Sequence, residues 1–225
     1  HFGEELKGKK VALSGFGNVT WGTARKLNEL GAKVITISGP DGYILDEDGV
    51  SGEKVDYLVE LRASGKNICA PYAEKFPGAK FFPGKKPWEV KADLYIPCAT
   101  QNEIHLEDAK VMVANGCKYL CEGSNMPTTN EAIKYLMDNG VIVGPSKAAN
   151  AGGVACSCIE MGQNAGHTVF SPEQVYEQLE TIIVNIHKNS AEASERYGLG
   201  YNLVAGANIA GFEKVAQAMM AQGVV

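Results

Sequence analysis

The chain is 225 residues long, 45% of its residues are hydrophobic, and its formal net charge is −5; a chain of this size can bury roughly 70% of its unfolded surface. The acidic balance and the lack of a basic stripe argue against nucleic acid as a partner. No apolar run reaches the roughly 18 residues of a membrane span, and the first residues lack the charged-then-apolar pattern of a secretion signal, so we expect a cytoplasmic protein with no membrane partner.

The first informative segment joins a short apolar strand to a helix through a glycine-rich turn. Residues 11–13 are apolar, and Gly15 and Gly17 allow a tight turn and a close approach of the backbone to a pyrophosphate. The helix that begins near Asn18 then points its free N–H groups at that anion. Thr20 occupies the third small position of this fingerprint, where we expect it to push the helix slightly off the strand. The segment predicts a dinucleotide-binding turn, and a glycine turn without a ligand is the alternative.

The turn after the second predicted strand bears on the choice between NAD and NADP. It reads Ser-Gly-Pro-Asp-Gly over residues 38–42. An NAD-binding protein usually has an acid here that accepts from the ribose 2′-OH, whereas an NADP-binding protein has cations and hydroxyls. Asp41 lies a few residues past that position, so it either faces the ribose or serves the Pro-Asp-Gly turn. Arg62 and Lys66 are candidate cations for a 2′-phosphate, and the choice stays open.

Strand-like and helical runs alternate from residue 10 to about residue 144, as in a doubly wound parallel sheet. We therefore predict an α/β, Rossmann-like fold with a mostly parallel sheet and a helical C-terminal segment. The predicted strands are residues 11–14, 34–38, 80–82, 94–97, 119–122 and 141–144. The predicted helices are residues 19–30, 54–63, 71–76, 106–115, 130–139, 152–165, 172–197 and 206–222.

Small and amide residues follow three of the predicted strands, at the edge where an open α/β sheet binds its ligand. An amide offers a donor and an acceptor together, which suits a nicotinamide carboxamide and ribose hydroxyls. Asn102, Asn125 and Asn150 are therefore candidate cofactor ligands. Asparagine at a strand end also caps helices or forms turns, which is the alternative for each of them.

From residue 145 onward the pattern is helical only. Gly152 and Gly153 leave the start of one helix free of bulky side chains, and Ser157 lies about one turn further along it. The six cysteines lack paired spacing and nearby histidines, so we expect them to be reduced and structural and expect no metal site.

Six motifs in this chain belong together as a family signature. They are Ser-Gly-Phe-Gly-Asn-Val at 14–19, Pro-Cys-Ala-Thr-Gln-Asn at 97–102, Asn-Met-Pro-Thr-Thr at 125–129, Lys-Ala-Ala-Asn-Ala-Gly-Gly-Val at 147–154, Glu-Met at 160–161 and Tyr-Asn-Leu-Val-Ala-Gly-Ala-Asn-Ile-Ala-Gly-Phe at 201–212. In these motifs, and over nearly its whole length, the chain resembles the cofactor-binding domain of hexameric bacterial glutamate dehydrogenases.

The resemblance implies oxidative deamination of L-glutamate to 2-oxoglutarate and ammonium, and the reverse amination, by hydride exchange with NAD or NADP. It implies that Asn18 contacts the cofactor phosphates and that Asn150 lies beside the nicotinamide. Ser157 is expected to hydrogen-bond the distal carboxylate of the substrate, with Val154 lining the same pocket. Because relatives that act on leucine or phenylalanine have apolar groups at the serine position, Ser157 favours glutamate. The expected cofactor-binding residues are Gly15, Phe16, Gly17, Asn18, Val19, Ser38, Asp41, Ala99, Thr100, Gln101, Asn125 and Asn150.

The family's catalytic lysine and aspartate belong to an N-terminal substrate domain, which we expect to be absent from this chain. Residues 1–225 are then one dinucleotide-binding domain, helical from about residue 150, which contains no catalytic residue and alone binds cofactor without turnover. In the full-length enzyme we expect a homo-hexamer. Another amino-acid dehydrogenase, of the leucine or valine type, and a non-catalytic nucleotide-sensing module are the alternatives.

Overall fold

A computed structural model describes residues 1–223, and seven strands of this part of the chain form one sheet. The strands are β1 (Lys10–Leu13), β2 (Lys33–Gly39), β3 (Gly42–Leu45), β4 (Lys80–Pro83), β5 (Leu94–Ile96), β6 (Tyr119–Cys121) and β7 (Ile142–Gly144). Their order across the sheet is β4-β3-β2-β1-β5-β6-β7. Strand β1 pairs in parallel with β2 and β5, and β5 pairs in parallel with β6. The predicted α/β fold with a mostly parallel sheet is confirmed.

The chain divides within β7 into two compact units, residues 1–142 and residues 143–225. The helices of the first unit are α1 (Asn18–Glu29), α2 (Glu53–Ala63), α3 (Ala70–Lys75), α4 (Leu106–Ala114) and α5 (Asn130–Asp138), with a 3-10 turn at Pro87–Glu89. Those of the second are α6 (Ser146–Ala149), α7 (Gly152–Ala165), α8 (Pro172–Arg196) and α9 (Leu203–Gln222). Helix α6 and the 3-10 turn are additions to the prediction. No helix within residues 1–223 is long and apolar enough to cross a membrane.

The core of the first unit is built on the central strands. Residues 11–13 of β1 have no exposed surface, as expected for a central strand of a parallel sheet. On α1, Trp21, Ala24 and Leu27 recur every three residues and are buried in the same core. Burial of this helix face holds α1 against the sheet and places its N-terminus just beyond the carboxyl end of β1.

One edge of the sheet differs from the prediction. Gly39 pairs with Gly42 across a two-residue turn, so the chain reverses into β3, which was not expected. Strands β3 and β4 are antiparallel to their neighbours. Gly42 has a φ of 144°, and an added Cβ would lie 2.2 Å from the carbonyl oxygen of Phe82, so only glycine fits here. With four residues, β3 is too short for its apolar pattern to be distinguished from a loop.

Candidate functional site

Hydrogen bonds fix the glycine-rich turn between β1 and α1. The Gly15 N–H donates to Ser38 Oγ at 3.0 Å, and Thr20 Oγ1 donates to the carbonyl oxygen of Ser14 at 3.2 Å. Gly15 has a φ of +93°, a conformation that favours glycine. Thr20 is fully buried. Its side chain therefore ties α1 to the end of β1. The slight displacement of the helix stays a prediction.

The N-terminus of α1 is open to a ligand. Gly17 is the N-cap residue, and no side chain forms a capping hydrogen bond there. A Cβ added at Gly17 would meet no atom within 4 Å. Asn18 and Val19, the first helical residues, are both exposed. Free N–H groups at a helix N-terminus carry partial positive charge and favour a phosphate.

A cleft of about 370 Å³ lies beyond the carboxyl ends of β1, β2 and β5. It brings together six of the expected cofactor-binding residues: Gly15, Phe16, Gly17, Ser38, Ala99 and Thr100. Its other lining residues are Gly39, Pro40, Arg62, Asn67, Lys86 and Cys98. The cleft thus lies where an open α/β sheet binds a nucleotide.

The charged groups that line the cleft are both cations. Arg62 lies in the last turn of α2 and Lys86 directly precedes the 3-10 turn; both are exposed. Neither forms an ion pair within residues 1–223. The sequence indicated Arg62, but it gave no reason to select Lys86 or Asn67. Both of the missed residues lie in polar loops, and only the packing of the strands places them at the cleft.

The Asp41 carboxylate accepts hydrogen bonds from backbone N–H groups of the protein itself. Its two oxygens accept from the Cys69 N–H at 2.9 and 3.0 Å, and Oδ2 also accepts from the Ala70 N–H at 2.9 Å. These N–H groups lie at the start of α3, so Asp41 caps that helix from the β2–β3 turn. This capping role is additional to the two that the sequence suggests for Asp41. The cleft lining includes the neighbouring Pro40 but not Asp41, and the cofactor role of Asp41 stays a prediction.

Two neighbouring loops carry the amide residues expected near the nicotinamide. The Asn102 N–H donates to the carbonyl oxygen of Met126 at 3.0 Å, and the two residues have φ values of 52° and 47°. Left-handed residues other than glycine cost on the order of 1–3 kcal/mol and are concentrated at functional sites. Gln101 and Asn125 directly precede these two residues and are exposed, outside the lining of the cleft.

The remaining expected residues belong to the second unit. Asn150 is the C-cap residue of α6. Val154 and Ser157 lie near the start of α7, three residues apart and therefore on one helix face, and both are exposed. The Ser157 hydroxyl donates to the carbonyl oxygen of Gly153 at 3.2 Å. Val154 and Ser157 could line one pocket only from a shared helix face, and their spacing provides it.

The cysteine in the cleft wall is a protonated, apolar group. Burial raises the pKa of the Cys98 thiol to about 12, so the thiolate that a nucleophile or metal ligand needs is not formed. Cys156 and Cys158 are exposed on α7. No group of three or more metal-ligating side chains comes together within residues 1–223.

Known proteins resemble this chain in sequence. It matches the family described as Glutamate/Leucine/Phenylalanine/Valine dehydrogenase over residues 1–223. It is 57% identical to the NAD-specific glutamate dehydrogenase of Clostridium symbiosum, with 100% of this chain and 50% of that protein covered. The NADP-specific glutamate dehydrogenase of Haemophilus influenzae is 46% identical over 99% of this chain and 49% of its own length. The NAD(P)-specific glutamate dehydrogenase of Xylanibacter ruminicola is also 46% identical, over 99% of this chain and 50% of its own length.

Solved structures resemble it as closely. A structure named glutamate dehydrogenase has a TM-score of 0.95 at 57% identity, and the match covers 99% of this chain and 50% of that chain. The crystal structure of Plasmodium falciparum glutamate dehydrogenase has a TM-score of 0.92 at 42% identity. The match covers 96% of this chain and 47% of the Plasmodium chain. This chain therefore spans about half the length of the curated relatives it matches.

Proposed function

This chain belongs to the glutamate/leucine/phenylalanine/valine dehydrogenase family, and we propose that it is the cofactor-binding domain of a glutamate dehydrogenase. The complete enzyme interconverts L-glutamate with 2-oxoglutarate and ammonium by hydride transfer with NAD or NADP. The observation that carries the proposal is the 57% identity, across the whole chain, to a protein named as an NAD-specific glutamate dehydrogenase.

The lining of the cleft in the first unit supports a dinucleotide as its ligand. When bound, the cofactor supplies the nicotinamide ring that exchanges the hydride with the substrate. Gly15 and Gly17 let the backbone approach the pyrophosphate, and the uncapped N-terminus of α1 offers N–H donors to it. Arg62 and Lys86 add positive charge against the phosphates. We assign Asn18, Gln101, Asn125 and Asn150 to the same cofactor from the family resemblance.

The substrate assignment rests on α7. We propose that Ser157 hydrogen-bonds the distal carboxylate of glutamate and that Val154 lines the same pocket. The catalytic lysine and aspartate are proposed to lie in the half of the enzyme that this chain does not span, since the relatives are about twice as long. Residues 1–225 would then act as one dinucleotide-binding domain, helical from about residue 150, within a cytoplasmic homo-hexamer.

Cofactor binding by the 225-residue chain tests this function directly. The chain is titrated with NADH and separately with NADPH at fixed salt, following nicotinamide fluorescence, with reduced nicotinamide mononucleotide as the control ligand. We expect saturable binding of at least one dinucleotide and much weaker binding of the mononucleotide, which lacks the adenosine part. A folded chain that binds neither dinucleotide contradicts the proposal. Glutamate-dependent reduction of NAD by this chain alone contradicts the assignment of the catalytic groups to another domain.

The choice of glutamate is tested separately, in the complete enzyme. We expect Ser157→Ala to remove most of the glutamate turnover, because the distal carboxylate loses a hydrogen-bond donor in a buried complex. The matched control is Cys158→Ala, at the next position of α7, which is also exposed. Unchanged glutamate turnover in Ser157→Ala would favour a dehydrogenase for another amino acid.

A further inference from the structure

A buried acid, Glu103, lies behind the wall of the dinucleotide cleft. Glu103 is only 7% exposed, although it follows the exposed Gln101 and Asn102 in a polar loop. Oε1 accepts a hydrogen bond from the Ala99 N–H at 3.0 Å, and Oε2 has no hydrogen-bond partner among the described residues. Burial raises the pKa of the Glu103 carboxyl, and the Ser14 hydroxyl, the Ala99 and Thr100 N–H groups and the charge of Lys86 oppose that shift. A buried, incompletely paired carboxyl costs stability, so a compensating role is expected.

The backbone of Glu103 is fixed independently of its carboxyl. The Trp88 indole N–H donates to the Glu103 carbonyl oxygen at 3.2 Å in a buried contact. On either side of the residue, Asn102 and Ile104 donate their N–H groups to the carbonyl oxygens of Met126 and Pro127, both at 3.0 Å. The position of the Glu103 backbone therefore does not depend on the hydrogen bond between its carboxyl and the cleft wall.

The loop that Glu103 contacts forms part of the cleft. The Cys98 N–H donates to Ser14 Oγ at 2.9 Å, which fastens the start of this loop to the end of β1. Ala99 and Thr100 come next and line the cleft. The Ala99 N–H bond to Glu103 thus holds a residue of the cleft wall, directly after the fastened Cys98.

We infer that Glu103 is a positioning residue of the dinucleotide cleft, whose Oε1 holds the Ala99–Thr100 wall in the shape that receives the cofactor. This inference rests on the proposed function of the cleft. This role depends on the reach of the side chain to the Ala99 N–H, which a neutral acceptor oxygen on a side chain of the same length can also provide. Without the bond, the loop has to be ordered when the cofactor binds, and affinity is lost.

Two substitutions in the 225-residue chain separate reach from charge. Glu103→Gln keeps the length and an acceptor oxygen, whereas Glu103→Asp keeps the charge but is one methylene too short. We expect Glu103→Gln to bind NADH within about threefold of the unchanged chain and Glu103→Asp to bind about tenfold more weakly, as expected for one lost positioning contact. Amide hydrogen exchange at Ala99, measured by NMR, should show protection retained in Glu103→Gln and lost in Glu103→Asp.

The matched control is Asp46→Asn, which alters another buried carboxyl of the first unit that lies outside the cleft. It should lower stability and leave the NADH affinity unchanged. The inference is overturned if Glu103→Asp binds NADH as well as the unchanged chain, or if Glu103→Gln binds as weakly as Glu103→Asp. It is also overturned if Ala99 protection does not follow the two substitutions. Failure of the unchanged chain to bind any dinucleotide would instead contradict the proposed function.

Discussion

Replacing Gly15 by alanine tests whether packing fixes the glycine-rich turn. A left-handed backbone, here with φ at +93°, costs alanine about 1–2 kcal/mol. The added Cβ would lie 2.5 Å from Thr20 Oγ1 and 2.6 Å from the carbonyl oxygen of Cys98. Because the Cys98 contact is with backbone, relief requires a shift of the loop after β5, and overpacking of this kind costs about 1–3 kcal/mol. Together these give a loss of about 2–5 kcal/mol in the free energy of unfolding.

Urea unfolding of the 225-residue chain measures this loss. Tryptophan fluorescence is a suitable signal, because Trp21 and Trp88 are both buried in the first unit. With an unfolding slope of about 2 kcal/mol/M, the midpoint should fall by roughly 1–2.5 M. The matched control is Gly17→Ala, whose Cβ meets no atom within 4 Å. This control should keep the midpoint, because the added methyl group meets no atom, and should lose NADH affinity if the pyrophosphate binds at this turn as we propose.

Two results would refute the steric reasoning. A Gly15→Ala midpoint within about 0.25 M of the unchanged chain, at the same slope, would mean that the turn relaxes freely. An equal loss of stability in Gly17→Ala would mean that the contacts around Gly15 are not the cause. Loss of NADH affinity in Gly17→Ala without loss of stability would locate the pyrophosphate at this turn.

Three further predictions concern the charges of the cleft, a buried ion pair and the helix crossing of the second unit. Arg62→Ala and Lys86→Ala should each weaken NADPH binding more than NADH binding in parallel titrations, since NADPH carries the additional phosphate; equal losses for both cofactors would contradict this. Although burial acts to raise the pKa of Asp46, hydrogen bonds from Lys54 and Tyr72 lower it overall. A lowered pKa in the folded state gives stability that is present above about pH 4 and is lost as the pH falls through the folded value. The urea midpoint of Asp46→Asn should therefore be lower than that of the unchanged chain at neutral pH. In acid the two midpoints should approach each other. Gly206→Ala places a Cβ 1.9 Å from a backbone oxygen of α8 and should cost about 3 kcal/mol in unfolding, whereas Gly211→Ala, which has open space, should be neutral or stabilising.

The features predicted correctly from sequence are those whose cause is local. An apolar run, two glycines and a helical pattern follow one another within residues 11–30, so the turn and the start of α1 could be placed without knowledge of the rest of the fold. The helix bounds were also close, because caps and periodicity act over a few residues. The prediction missed β3 because this strand has only four residues, although it pairs with β2 across a two-residue turn, and so short an apolar run cannot be distinguished from a loop.

Sequence reasoning missed the capping role of Asp41 and the burial of Glu103, and both depend on distant partners. Asp41 caps a helix whose first N–H groups lie 28 and 29 residues further along the chain. Glu103 is contacted by Trp88 and lies beside Ser14, 89 positions earlier in the sequence. In sequence both acids belong to polar loops, where exposure is the usual expectation. The burial of Glu103 and the capping contacts of Asp41 become visible only when the strands that carry those loops are assembled.

The two acids nearest the cleft explain how an acidic protein presents a surface that suits an anion. The chain has a net charge of −5, yet the Asp41 carboxylate is bound to the start of α3 and Glu103 is buried beneath the cleft wall. Both therefore stabilise backbone and leave Arg62 and Lys86 as the charged groups of the lining within the described residues. A dinucleotide carries negative charge on its pyrophosphate, so this distribution favours its approach and should make the binding rate fall with ionic strength. An association rate for NADH that is independent of salt would show that the two cations do not act on the cofactor.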